Sequence, residues 1–134
     1  ASARVGIAFA SEAIVELLNN VKMPYNISKL NQKAALEALE NQSEFKKNIE
    51  IILNEKENLI KALSDLKLVK RIYPSDANFL LVEFENANKI YKDLVEQKII
   101  TRNRHSLVNN CIRITVGTPS ENEALLKALK NIES

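Results

Sequence analysis

The feature that most limits the fold is a change of hydrophobic period near residue 65. Before it, "SEFKKNIEIILNEKENLIKALSDL" (43–66) places Phe45, Ile49, Ile52, Leu53, Leu59, Ile60 and Leu63 on one face of a helical repeat. Glu50, Asn54, Glu55, Lys56, Glu57 and Lys61 form the opposite, solvated face. After it, "CIRITV" (111–116) alternates: Ile112, Ile114 and Val116 face one way, Cys111, Arg113 and Thr115 the other. The chain therefore needs a long amphipathic helix followed by a sheet with one apolar face.

The second part reads as β-β-α-β-β-α. Strands at 68–74 and 78–84 flank a turn carrying Pro74, Ser75 and Asp76, and Asn86 caps a helix. A short strand at 98–102 and the alternating strand at 111–116 follow. Thr118 and Glu121 have the form of a capping box, with Pro119 at the first helical position, and Leu125, Leu126, Leu129 and Ile132 form the stripe of the last helix. This order predicts a small α+β unit over 66–134, a sheet with helices on one face.

The first part is different. "VGIAFA" (5–10) is a continuous apolar run of strand length, which predicts a central strand covered on both faces. Ser11 is placed to cap a helix carrying Ile14, Leu17 and Leu18, and Pro24 breaks the pattern. Ser28 is placed to cap a second helix with an apolar stripe from Leu30 to Leu39, stopped at Asn41. The long third helix, from Ser43, connects the two parts. Residues 1–42 thus read as the tail of an α/β layer, 43–65 as a connecting helix and 66–134 as the α+β domain. A chain that opens directly on a buried strand is expected to be a piece of something longer, and its first strand, without sheet neighbours, is expected to expose apolar surface and drive self-association.

Composition removes several classes of function. The net charge of +2 balances 19 basic against 17 acidic residues and gives no basic stripe for nucleic acid. No apolar run approaches the roughly 20 residues of a membrane span. One cysteine and one histidine make neither a disulfide nor a metal cluster. Only Gly6 and Gly117 are glycines, so a glycine-rich phosphate loop is excluded. The expectation is a cytoplasmic protein without a nucleic-acid or membrane partner.

Arginine is the residue type left to carry chemistry. Arg113 lies mid-strand, where a buried guanidinium without a partner costs several kcal/mol. It must reach solvent, pair with a carboxylate, or meet an anionic ligand, which its planar fork grips in bidentate fashion. Arg102 ends the neighbouring strand, and strands lying side by side would bring it to Arg113. Arg104 and His105 read as loop surface, Arg4 as a strand-edge residue that could also hold a phosphate, and Cys111 as a small packing group. Tyr25 and Asn78 carry no signal by themselves.

Five blocks in order, "ARVGIAFAS", "MPYNIS", "YPSDANFLLVEF", "IITRNR" and "CIRITVGTPSENEALLKAL", resemble the histidinol-phosphate aminotransferases, fold-type-I pyridoxal-phosphate enzymes of histidine biosynthesis. The resemblance spans nearly the whole chain. It implies the C-terminal portion of such an enzyme: the end of the large domain plus the small domain. It implies that Arg4 matches the arginine on the phosphate of pyridoxal 5'-phosphate. Arg113 then matches the arginine on the substrate's anionic end (glutamate or 2-oxoglutarate), and Arg102 a second arginine for the phosphate of histidinol phosphate or the distal carboxylate of glutamate. Tyr25 and Asn78 fall in blocks that approach the site. The lysine that holds the cofactor as a Schiff base would lie upstream of Ala1, so this chain alone is expected to be inactive, and the family's homodimeric assembly is expected of the parent. An aromatic aminotransferase, a threonine-phosphate decarboxylase and a non-catalytic anion-binding α+β module remain alternatives.

Overall fold

The computed structural model describes residues 4–24 and 26–133, and the chain divides into two units, Ala1–Lys47 and Asn48–Ser134. The first holds α1 (Glu12–Val21), α2 (Lys29–Glu40) and the start of α3 (Gln42–Ser64). Ser28 caps α2 as its sequence predicts: its hydroxyl accepts from the Asn31 N–H at 3.1 Å. Ser11 occupies the cap position of α1 without a side-chain cap bond, and Asn41 ends α2.

The strand expected at 5–10 is absent: the residues run as irregular, mostly exposed chain, with Phe9 almost fully open. A doubly covered strand needs neighbours for its N–H and C=O groups, and the described residues of this unit contain no strand to pair with. Ile14, Leu17, Leu18 and Val21 on α1 are exposed too.

The second unit takes the remainder of α3, then β1 (Val69–Tyr73), β2 (Phe79–Phe84), α4 (Ala87–Glu96), β3 (Arg102–Asn103), β4 (Cys111–Thr115) and α5 (Pro119–Glu133). The sheet has order β1-β2-β4-β3 with every neighbouring pair antiparallel. Strand parity then separates its faces. Leu80, Val82, Phe84, Ile112 and Ile114 are buried against Leu59 and Leu63 of α3, Ile90 and Leu94 of α4, and Leu125, Ala128 and Leu129 of α5. Each Leu, Ile, Val or Phe among them contributes about 1.5–3 kcal/mol on burial. Since all three helices lie on this face, the alternate residues Phe79, Leu81, Glu83, Arg113 and Thr115 belong to the other.

Two local expectations change. The strand expected at 98–102 contracts to Arg102–Asn103 because the preceding residues end α4 instead. Lys98 adopts a left-handed φ of 63°, its N–H donates to the Val95 carbonyl and that of Ile99 to Leu94, both at 2.9 Å, so these backbone groups are spent on the helix terminus. Glu55 and Lys56, expected on the solvated face of α3, are half-buried. The Lys56 ammonium donates to the carbonyls of Ser75 and Ala77 and pins the β1–β2 turn. Glu55 accepts from Asn122 Nδ2 at 2.8 Å. Asn122, buried on α5, also donates to the Gly117 carbonyl (3.1 Å) and accepts the Gly117 N–H (3.0 Å).

The α5 terminus forms as predicted. Thr118 N–H and Oγ1 each donate to Glu121 Oε2 at 2.8 Å, and the Glu121 N–H returns to Thr118 Oγ1 at 3.4 Å. These bonds hold the Glu121 carboxyl below its usual range.

Candidate functional site

The site is built on the sheet face turned away from the helices. Arg113 on β4 has Leu81 as its partner on β2 and Arg102 as its partner on β3. Directly opposed residues in an antiparallel pair share a face, so the two arginines that the sequence singled out stand side by side. The Arg113 guanidinium lies over the Phe79 ring, 4.9 Å from its centroid, an orientation that fixes the fork by cation–π attraction.

Arg113 is half-buried, and its Nε is buried without a hydrogen-bond partner. A buried donor left unpaired costs about 1–3 kcal/mol. Among the described residues the ion pairs are Lys33–Glu37 and Lys70–Glu85, neither of which involves an arginine. The strand carboxylate on this face among the described residues, Glu83, pairs in register with Cys111 and accepts from the Tyr73 hydroxyl at 3.2 Å. Arg71 in turn stacks on the Tyr73 ring, 4.6 Å from its centroid. Glu83 is thereby engaged toward β1, on the far side of the sheet from Arg102. Burial, then the hydrogen bond that its hydroxyl donates to Glu83, pushes the Tyr73 phenol up. Cys111 is fully buried in the sheet and packs there, and burial, then the Glu83 charge, pushes its thiol up.

The other sequence candidates are distributed as follows. Asn78 is exposed at the start of β2, next to Phe79, and its carbonyl accepts the Val116 N–H at 2.9 Å. Arg4 belongs to the first unit, is exposed, and has a left-handed φ of 53°. Tyr25 lies outside the described residues. No cluster of metal-ligating residues exists among the described residues, and none of their helices is long and apolar enough to cross a membrane.

Sequence reasoning missed Phe79 and Arg104. Phe79 was legible as the first open-face position of β2, alternating with Leu80. Arg104 was read as loop surface, but its N–H donates to the Cys111 carbonyl at 2.9 Å and so extends the β3–β4 pairing. Its guanidinium pKa is lowered by burial and then by the charges of Arg102 and Arg113.

The chain belongs to the class I and II aminotransferases, whose family model matches residues 1–129. It is 46% identical over 132 residues to a histidinol-phosphate aminotransferase of Flavobacterium psychrophilum, covering 97% of this chain and 38% of the relative. It is 47% identical to the histidinol-phosphate aminotransferase of Cytophaga hutchinsonii, with 97% and 38% covered. The crystal structure of the histidinol-phosphate aminotransferase from Clostridium acetobutylicum superimposes with a TM-score of 0.81 at 25% identity, over 90% of this chain and 38% of that one. The expected fold class is borne out. The chain spans 38% of the length of these relatives.

Proposed function

We propose that the whole protein carrying this sequence is a pyridoxal-phosphate aminotransferase that moves an amino group between glutamate and imidazole acetol phosphate. The observation that carries this reading is the orphaned Nε of Arg113, buried beside Arg102 with no carboxylate among the described residues paired to either. The two guanidiniums form a clamp for the anionic end of the substrate: a carboxylate of glutamate or 2-oxoglutarate, or the phosphate of histidinol phosphate. Arg113, steadied on Phe79, supplies the fork, and Arg102 the second contact. Fixing that end sets where the amino group lies, which lowers the entropic part of the barrier.

Arg4 suits the phosphate of the cofactor, being an exposed guanidinium without an ion-pair partner among the described residues. The cofactor, when bound, supplies the electron sink for the transfer. In this reading residues 1–42 end the cofactor-binding domain, 43–65 connect, and 66–134 form the small domain. The lysine that bears the cofactor lies upstream, the assembly is a cytoplasmic homodimer with sites at the subunit interface, and the 134-residue chain alone is inactive. Exposed Ile7, Phe9, Leu17 and Val21 give that chain a tendency to self-associate.

The test is steady-state turnover of the protein at the length of its relatives, with pyridoxal phosphate. Histidinol phosphate is the expected amino donor, ahead of phenylalanine, with no release of carbon dioxide from threonine phosphate. Preference for phenylalanine would make it an aromatic aminotransferase, and decarboxylation of threonine phosphate would make it that decarboxylase. Turnover by the 134-residue chain itself would contradict the division of labour.

A further inference from the structure

We propose that Arg104 is the third guanidinium of this anion site and the residue that makes it favour a phosphate-monoester dianion over a carboxylate. The inference rests on the reading of Arg102 and Arg113 as an anion clamp. Strand alternation places Arg102 and Arg104 on one face, and the Arg104–Cys111 backbone bond puts Arg104 diagonal to Arg113 across β3 and β4.

The backbone there is held on every side. Besides the Arg104 N–H bond, the Arg104 carbonyl accepts from Leu107 and Val108, both at 2.8 Å. His105 N–H donates to Asn103 Oδ1 at 2.9 Å, and His105 Nδ1 accepts the Asn110 N–H at 3.1 Å, which closes the loop. A loop tied in this way presents Arg104 at a fixed place instead of letting it drift into solvent. Its half-buried state and its response to Arg102 and Arg113 agree with that placement.

Charge and oxygen count then decide the ligand. Three guanidinium cations repel one another, and Glu83 is engaged with Tyr73. A carboxylate brings one charge and two oxygens, which the Arg113 fork and Arg102 satisfy. A phosphate monoester brings a charge of about −1.5 to −2 and three acceptor oxygens. Only the second ligand uses Arg104 fully.

The experiment is calorimetric titration of the cofactor-loaded, full-length protein with methyl phosphate and, separately, acetate. Wild type should bind methyl phosphate more tightly. Arg104→Gln should weaken methyl phosphate binding about tenfold or more, the worth of one charge-assisted hydrogen bond, and change acetate binding less than about twofold. Arg104→Lys should restore part of the loss. Equal weakening of both anions, or none of either, overturns the proposal. Arg113→Gln separates the two layers: if it loses both anions while Arg104→Gln loses neither, only the role of Arg104 fails. If Arg113→Gln binds both as wild type does, or wild type binds neither, the clamp itself fails. Circular dichroism of each variant checks that it is folded.

Discussion

Replacing Arg113 by methionine should make the second unit more stable while abolishing anion binding. The native arrangement carries a buried Nε donor with no partner, worth about 1–3 kcal/mol against folding. It also sets Arg113 opposite Arg102, a like-charge cross-strand pair that is itself unfavourable. Against these stands the stacking of the guanidinium on Phe79, about 0.5–1 kcal/mol at a partly exposed site. A methionine keeps an unbranched stem over that ring and has no donor to orphan. The balance favours the variant by about 1 kcal/mol, which in a domain of this size raises Tm by about 4–8 °C. The assay is thermal unfolding followed by circular dichroism, with and without phosphate. Wild type should gain about 1.4 kcal/mol at phosphate ten times its Kd, and the variant nothing. A variant less stable than wild type by more than about 1 kcal/mol would refute the reasoning, because the arginine would then be structural.

Asn122→Leu should cost about 2–3 kcal/mol in urea unfolding, since it strands both the N–H and the carbonyl of Gly117 and leaves Glu55 unpaired. Lys98→Gly should add about 1 kcal/mol, because φ of 63° suits glycine at a helix C-terminus. The Glu121 carboxyl is held low by Thr118, so its contribution is present above the ordinary glutamate value and lost as pH falls through the lowered folded value. Stability measured from about pH 6 down to about pH 3 should therefore fall less steeply in Thr118→Val than in wild type.

What the sequence revealed was local. Caps at Ser28, Asn86 and Thr118–Glu121 depend on side chains a few residues from the groups they satisfy, and each forms as its spacing predicts. Strand parity in "CIRITV" placed Arg113 opposite the apolar face, and the return through residues 103–110 brought Arg102 to it. The failures came where partners are distant in sequence. The run at 5–10 has strand composition but no strand beside it among the described residues. Glu55 reads as solvated until Asn122, 67 residues later, is folded against it. Arg104 reads as loop because nothing in its neighbours signals that its N–H continues the ladder to Cys111. At Arg4 the strand-edge position left a structural and a phosphate-holding reading open, and only the family resemblance favours the second.

The most direct test of the anion clamp is the NMR signal of the Arg113 Nε–H during titration with phosphate. An orphaned donor that receives an anion should move downfield and saturate, together with the side-chain signals of Arg102 and with the exposed Arg71 unmoved. An Arg113 Nε–H that stays in place while phosphate shifts other arginines would contradict the clamp.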